Sequence, residues 1–300
     1  MSRHHLLGPE ELSALRDLEL VARTTVEGLR QGQHRSPFHG FSAEFHQYRH
    51  YRPGDDLKYV DWKAFGRTDR LYTRQFRETT NLSALVVLDV SRSMAFPPVP
   101  DGAPLVSTKH GLARAAAAAL AALIVDQGDQ AGLLALGQDI TWLPPRSGRP
   151  HLRQMLAALA RLVADGETAV GAALARAAAA MKRKGLIIVV SDFYDEEETI
   201  AEIVRLAHMG HDLLAVHVMA REELALGGSG AGEFEDLETG ERVVLDVRGH
   251  AAAYAETVAA FLRRIESRAT AAGIAYLRLT TGEALEPALR RFLIARRGGA

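Results

Sequence analysis

The chain has 300 residues, of which 47% are hydrophobic and 24% charged, a balance typical of a globular protein with a sizeable core. Its formal net charge of −1 gives no overall positive field for nucleic acid, and the absence of cysteine excludes disulfides and zinc–thiolate sites. The longest apolar stretch, residues 115–125, is too short and too rich in alanine to cross a bilayer, so we expect a cytoplasmic protein with no membrane span and no nucleic-acid partner.

The first 80 residues divide into a helix and a polar, aromatic segment. Residues 9–31 carry leucine and valine at helical spacing, which predicts one amphipathic helix. Residues 36–80 are rich in Tyr, Arg, His and Asp, and the alternation over residues 71–78 predicts a half-exposed strand. Aromatic side chains such as Trp62 are expected to form a local core. The sequence therefore predicts an N-terminal helix and a small β-rich extension over residues 1–80.

From residue 81 onward the pattern becomes that of an α/β domain. Five short runs are apolar on both faces, as buried parallel strands are. Helical segments fill the gaps, which predicts a doubly wound, mostly parallel sheet with helices on both faces over residues 81–300. Residues 233–246 interrupt this order and predict a hairpin that turns at Thr239-Gly240. The strand runs are 84–88, 131–136, 186–190, 213–218 and 274–279, and the helices are 112–124, 168–184, 199–209, 251–272 and 283–296.

Two of the apolar runs lead into an aspartate. Ligands bind at the carboxyl ends of strands in open α/β sheets, so we expect Asp89 and Asp192 at the functional edge. Ser91 and Ser93 follow Asp89 at alternate positions, so three side-chain oxygens can turn towards one point. Oxygen ligands suit a hard cation, above all Mg²⁺, with Mn²⁺ or Ca²⁺ as alternatives. Thr168, at the start of a predicted helix, offers one more hydroxyl.

Simpler interpretations of the same residues stay open. Asp, Ser and Thr often cap the first turn of a helix, and Asp89, Thr168 and Asp192 each precede or begin a predicted helix or loop. For Asp-x-Ser-x-Ser alone, capping and metal binding are about equally good explanations. The position after a buried strand, together with the oxygens expected from other loops, favours metal binding.

Three motifs of the α/β region, taken together, resemble the metal-ion-dependent adhesion site of von Willebrand factor A domains. They are Asp-x-Ser-x-Ser after the first strand, Gly-x-Thr before a middle helix and Asp after the next central strand. A longer motif lies upstream, and with Asp-x-Ser-x-Ser it resembles the bacterial family called domain of unknown function 58. It reads Arg49-x-Tyr51-x-Pro53-Gly54-Asp55-Asp56, then Asp61-Trp62, Leu71-Tyr72 and Phe76-Arg77-Glu78.

The resemblance implies a fold, a site and a partner. Members of that family resemble von Willebrand factor A domains and are associated with MoxR-type AAA+ ATPases. The five candidate residues would then hold the ion, Asp192 either directly or through water, and a carboxylate of the partner would fill the open position. One residue departs from the pattern, because Phe193 follows Asp192 where adhesion-type domains often have glycine. A bulky side chain there is expected to narrow access to the ion or to shape the choice of partner.

Two other functions compete with a protein-interaction module that is not an enzyme. Asp89 could be the nucleophile of a Mg²⁺-dependent phosphohydrolase, but such nucleophiles usually have a second carboxylate two residues on, where this chain has Ser91. The chain could also be a scaffold whose metal site is vestigial. Metal-dependent binding and metal-dependent stability would separate these hypotheses.

Overall fold

The computed structural model describes residues 8–30, 43–51, 60–68, 70–78, 82–137, 140–165, 170–181, 183–194, 196–228, 230–237 and 239–298. By its contacts the chain divides into two compact units, one formed by Phe38–Leu82 and the other by Met1–Pro37 with Ser83–Ala300. The elements in chain order are α1 (Pro9–Arg30), β1 (Ala43–His50), α2 (Trp62–Thr68), β2 (Tyr72–Glu78), β3 (Ser83–Asp89), α3 (Lys109–Asp126), β4 (Gln130–Leu136), β5 (Thr141–Arg146), α4 (Arg149–Arg161), α5 (Val170–Ala180), β6 (Leu186–Ser191), α6 (Glu196–His208), β7 (Asp212–Met219), β8 (Ala231–Glu235), β9 (Arg242–Asp246), α7 (Val247–Ala271), β10 (Ala275–Thr280) and α8 (Leu285–Gly298).

The smaller unit is an antiparallel pair of strands with one short helix. β1 pairs with β2, which lies where the alternating pattern predicts a strand. Asp61 caps α2, since its Oδ1 accepts the backbone N–H of Ala64 at 2.9 Å. The expectation that Trp62 belongs to a local core is wrong. Trp62 is 58% exposed at the first position of α2, whereas Val60 and Thr73, which form a β-bridge, are buried.

The larger unit contains the six-stranded sheet. Its strand order is β10-β7-β6-β3-β4-β5, and every pair is parallel except β4 with β5. The five apolar runs are the five parallel strands, so the predicted doubly wound, mostly parallel sheet is confirmed. β5 was not predicted. Its consecutive prolines, Pro144 and Pro145, cannot donate ladder hydrogen bonds and are tolerated because the strand lies at the edge.

Helices cover both faces of this sheet. α5, α6 and α7 pack together over one face, where Leu174, Ile203 and Ile265 meet the core side chains of the strands. α3 lies against the sheet and also contacts α1 and α4. Almost all of α3 is buried, which explains its alanine-rich, uniformly apolar composition. The N-terminal helix therefore belongs to the larger unit, and the domain division at residues 80 and 81 stays a prediction.

The remaining predictions concern element bounds. β8 and β9 form the predicted antiparallel hairpin, with Gly240 at a φ of 74° in its turn. α4 was not predicted, although it is amphipathic. The predicted helix 168–184 corresponds to α5, and residues 166–169 lie outside the described ranges.

No helix in the described part of the chain combines the length and apolar character that a bilayer crossing needs.

Candidate functional site

The strand order reverses at the carboxyl ends of β3 and β6. β3 pairs with β4 on one side and with β6 on the other, and the chain continues from β6 to β7, away from β3. Crevices at such points hold ligands in doubly wound sheets. Asp89 is the last residue of β3, and Asp192 directly follows β6. Both carboxylates are almost fully buried at this edge.

The first loop of the site brings together Asp89, Ser91 and Ser93. Asp89 Oδ1 accepts the backbone N–H of Ser91 at 2.9 Å, which turns the loop back over the end of β3. A short 3-10 turn over Arg92–Ala95 follows and places the hydroxyls of Ser91 and Ser93 3.1 Å apart. Ser91 has no side-chain capping bond in this turn, so its hydroxyl does not act as a simple helix cap. The loop therefore directs its oxygens towards each other.

The second loop is joined to the first by two buried hydrogen bonds. The Ser93 hydroxyl donates to Asp192 Oδ2 at 2.8 Å. The Ser191 hydroxyl donates to Asp89 Oδ2 at 2.7 Å and accepts the backbone N–H of Phe193 at 3.0 Å. Sequence reasoning missed Ser191, although its position beside Asp192 at the end of a buried strand was a usable signal. The two carboxylates thus belong to one hydrogen-bonded cluster.

Thr168, the remaining predicted ligand, lies outside the described residues. The described chain nearest to it in sequence runs beside the site, since the backbone N–H of Asp165 donates to the carbonyl of Val90 at 3.0 Å. The exposed side chain of Asp165 also lies 3.6 Å from Arg92. The loop that leads to Thr168 therefore contacts the loop after β3 at Asp165, three residues before Thr168.

Burial and mutual repulsion shape the electrostatics of the carboxylates. Burial, followed by the nearby charge of Asp192, raises the pKa of Asp89 from 3.8 to about 6. Hydrogen bonds from Ser191 and Ser91 oppose this rise because they stabilise the ionised form. Asp89 is therefore ionised above about pH 6, in an environment that would gain from a nearby positive charge.

A buried lysine provides part of that positive charge, and sequence reasoning did not find it. Lys109 is the first residue of α3 and is fully buried. Its Nζ lies 2.8 Å from Asp192 Oδ2 and 2.5 Å from Glu223 Oε1. The same ammonium lies 4.7 Å from the centre of the Tyr194 ring. The ring and the two carboxylates together enclose the charge.

Glu223 is held in place by the loop that follows β7. Its Oε2 accepts the backbone N–H of Ala220 at 2.8 Å, and its carbonyl accepts the Tyr254 hydroxyl at 2.9 Å. The other carboxylate oxygen remains directed at Lys109. The ends of β6 and β7 and the start of α3 are therefore connected through one ammonium group.

Phe193 occupies the position where a glycine was expected by resemblance. Its φ of 55° is the one left-handed value among the described non-glycine residues, and glycine adopts this conformation most readily. The ring is 1% exposed and packs edge-on against His217, with centroids 5.3 Å apart. The expectation that Phe193 narrows access to an ion is wrong, because its side chain enters the core.

The donor set can be tested against the preferences of a hard divalent ion. Neighbouring ligands of an octahedral Mg²⁺ at about 2.1 Å lie roughly 3.0 Å apart, close to the 3.1 Å between the Ser91 and Ser93 hydroxyls. No group of three or more His, Asp or Glu side chains suited to a metal exists among the described residues, so any ion here would depend on hydroxyls as well as Asp89. Asp192 Oδ2 already accepts from Ser93 and Lys109. The residues fit such an ion, and Asp192 would then act through Ser93 or a water molecule.

Comparison with known proteins now gives the family. The family model described as protein of unknown function DUF58 matches residues 47–263. The chain belongs to the DUF58 family. This match confirms the family resemblance that the upstream motif indicated. It covers the chain from within β1 to most of α7.

Curated proteins similar to this DUF58 chain include one from Mycobacterium tuberculosis and one from Bacillus subtilis. The uncharacterised protein Rv1480 of Mycobacterium tuberculosis (strain ATCC 25618 / H37Rv) is 31% identical over 245 residues, which cover 80% of this chain and 75% of the relative. The uncharacterised protein YeaD of Bacillus subtilis (strain 168) is 28% identical over 112 residues, covering 37% and 25% respectively.

Solved structures similar to this DUF58 chain include BatB and a VWA domain. BatB from Bacteroides thetaiotaomicron has a TM-score of 0.45 at 18% identity and covers 72% of this chain and 99% of its own. The VWA domain of SpRpn10 has a TM-score of 0.41 at 14% identity, with coverages of 69% and 93%. At these identities and TM-scores neither likeness supports an assignment for this chain.

Proposed function

We propose that this chain is a protein-interaction module, not an enzyme, that binds a carboxylate of its partner through a divalent ion, Mg²⁺ in the first place. The observation that carries the proposal is the cluster at the ends of β3 and β6. There the Ser91 and Ser93 hydroxyls lie 3.1 Å apart beside two buried carboxylates. Among the described residues this cluster contains three carboxylates, those of Asp89, Asp192 and Glu223, and one ammonium, that of Lys109, which contacts Asp192 and Glu223. Its described charges therefore sum to two negative charges.

The chain's own residues would hold the ion and orient its ligands. Asp89, Ser91 and Ser93 are the residues proposed to bind it, with Thr168 as a further ligand and Asp192 contributing through Ser93 or water. Ser191 and the Ser91 backbone fix both carboxylate oxygens of Asp89, so the carboxylate does not rotate freely. When bound, a hard divalent ion supplies an open coordination position that a partner's Asp or Glu can fill. Such a contact is charge-assisted and therefore gives specificity even in a modest interface.

The partner we propose is a MoxR-type AAA+ ATPase. The support is the resemblance of the upstream motif and of Asp-x-Ser-x-Ser to the family, whose members are associated with such ATPases. A cytoplasmic location belongs to the same proposal, because an AAA+ partner draws on cytoplasmic ATP. Mn²⁺ and Ca²⁺ are alternative ions at the same oxygens.

A binding experiment tests the proposal directly. The full chain is immobilised and exposed to a purified MoxR-type ATPase in Mg²⁺, in EDTA, and in EDTA followed by excess Mg²⁺. We expect retention in Mg²⁺, loss in EDTA and recovery when the ion returns. Asp89→Ala should abolish retention, whereas Asp17→Ala, which changes an exposed aspartate on α1, should not. Equal retention in all conditions, and by Asp89→Ala, would contradict the proposal.

A further inference from the structure

Lys109 lies at a position where a charged ammonium is energetically unfavourable. It is fully buried, and it lies in the first turn of an 18-residue helix, where the helix dipole is positive. Burial and the dipole both disfavour a cation at this position. Gly111 makes the position reachable, because a Cβ there would lie 1.6 Å from the carbonyl oxygen of Leu105. The helix start is therefore packed closely enough to bring the ammonium into the site.

The Lys109 ammonium neutralises Asp192, one of the two carboxylates at the proposed ion position, and does not contact Asp89, the other. Its contacts are Asp192 at 2.8 Å, Glu223 at 2.5 Å and the face of Tyr194. The two carboxylate oxygens of Asp89 instead accept hydrogen bonds from the Ser91 backbone and the Ser191 hydroxyl. Lys109 thus neutralises the charge next to the proposed ion position without occupying the oxygens that would bind the ion.

This division of charge has opposite effects on two binding steps. A buried positive charge repels a metal ion, so it lowers the affinity of the oxygen cluster for that ion. The same charge prevents Asp192 and Glu223 from neutralising an ion bound beside them. An ion-loaded site with a more positive field attracts a carboxylate more strongly.

We propose that Lys109 is a fixed counter-ion which lowers the affinity of the site for a divalent metal ion and raises the affinity of the metal-loaded site for a partner's carboxylate. The inference rests on the proposed function, since it concerns the same site. Lys109 acts through Asp192 and Glu223 and is a positioning residue. A purely structural role would weaken both binding steps together, whereas a counter-ion moves them in opposite directions.

A charge series tests the first step. Lys109→Met removes one positive charge, Glu223→Gln removes one negative charge, and the double variant has the net charge of the wild type. Isothermal titration calorimetry with Mn²⁺, and with Mg²⁺, is expected to show about tenfold tighter binding for Lys109→Met and about tenfold weaker binding for Glu223→Gln. The double variant should lie within about threefold of the wild type.

The second step is measured with acetate as a minimal carboxylate. Acetate displaces water from protein-bound Mn²⁺ and lowers its effect on water-proton relaxation. Half-displacement is expected to need about tenfold more acetate in Lys109→Met and about tenfold less in Glu223→Gln. Acetamide, which has no charge, is the control ligand and should show no such ordering among the variants.

The outcomes separate this inference from the proposed function. If Asp89→Ala binds Mn²⁺ as the wild type does, the ion is held elsewhere and the proposed function fails. If binding depends on Asp89 but Lys109→Met and Glu223→Gln shift it in the same direction, the Lys109 inference alone fails. Lys109→Met leaves two carboxylates buried together, so its folding is checked by circular dichroism. If it does not fold, Glu223→Gln decides, because its amide oxygen can still accept one of the two hydrogen bonds that Glu223 accepts, from the Ala220 backbone or from Lys109.

Discussion

The hydroxyl of Ser191 donates a hydrogen bond of 2.7 Å to Oδ2 of Asp89, and this contact joins the carboxyl ends of the two central strands. The residues are 102 positions apart in sequence, so the contact forms only when β3 and β6 lie side by side. Because Asp89 Oδ1 is held by the Ser91 backbone, the carboxylate is fixed at both oxygens. The geometry of the proposed metal ligand Asp89 therefore depends on Ser191, which is not itself a proposed ligand.

The first prediction concerns this serine. Ser191→Ala removes the donor to Asp89 and leaves the buried N–H of Phe193 without its acceptor, so we expect a loss of about 1–3 kcal/mol in the free energy of unfolding. It also removes a contact that lowers the pKa of Asp89, so that pKa should rise further. Urea denaturation gives the stability, and calorimetry with Mn²⁺ should show weaker binding. Ser267→Ala, at an exposed position on α7, should change stability by less than about 0.5 kcal/mol.

The second prediction concerns stabilisation by the ion. A ligand that binds only the native state raises the free energy of unfolding by about 2.7 kcal/mol at a concentration 100-fold above its Kd. We therefore expect millimolar Mg²⁺ or Mn²⁺ to raise the Tm of the EDTA-treated protein by several degrees in scanning calorimetry. Asp89→Ala should show no rise. A wild-type Tm that is the same with and without the ion would instead favour a scaffold with a vestigial site.

The third prediction concerns the backbone strain beside Asp192. Alanine normally gives a more stable protein than glycine, but the left-handed φ of 55° at Phe193 should reverse that order. Phe193→Ala loses the buried ring and keeps the strain, at a cost of about 3–5 kcal/mol. Phe193→Gly loses the same ring but relieves the strain, so it should be about 1 kcal/mol more stable than Phe193→Ala. Urea denaturation of both variants is the measurement, and the usual order would show that φ is relaxed in solution.

The sequence predicted the sheet well because its signals are local. A run such as residues 186–190 is apolar on both faces wherever it occurs, and the aspartate after it marks the end of the strand. The candidate residues Asp89, Ser91 and Ser93 lie on one such loop, so their common direction followed from spacing alone. Edge strand β5 was missed because two prolines contradict the usual strand pattern.

Lys109 could not be predicted because its partners are distant in sequence. Asp192 lies 83 positions and Glu223 114 positions further on, and they meet only through the packing of α3 against the ends of β6 and β7. One local signal was present, a lysine directly after the capping Thr108 at the positive end of an apolar helix. A cation at the positive end of a helix is locally unfavourable, and natural proteins retain such unfavourable residues mainly at functional sites.

The fourth prediction concerns stability at low pH and uses His110, which lies outside the oxygen cluster. Burial, followed by the charge of Arg114, lowers the pKa of His110 from 6.5 to about 4, and its Nε2 hydrogen-bonds to the carbonyl oxygen of Leu162 at 2.9 Å. Below pH 6.5 the unfolded chain binds a proton at this histidine that the native chain does not bind. Stability is therefore fully present above pH 6.5 and is lost as pH falls towards 4, by at most about 1.4 kcal/mol per pH unit.

Other groups also titrate in this window, so the effect must be isolated by a matched variant. Burial lowers the pKa of His217 to about 4, which adds to the loss, whereas the raised pKa of Asp89 works in the opposite direction below pH 6. His110→Gln removes the titrating ring, and its amide still can donate to Leu162. Between pH 7 and pH 5 the wild type should lose roughly 2 kcal/mol more than this variant in urea denaturation. If the stability of the two proteins falls equally with pH, His110 has the same pKa in the native and unfolded states. That result would contradict the lowered pKa of the buried ring.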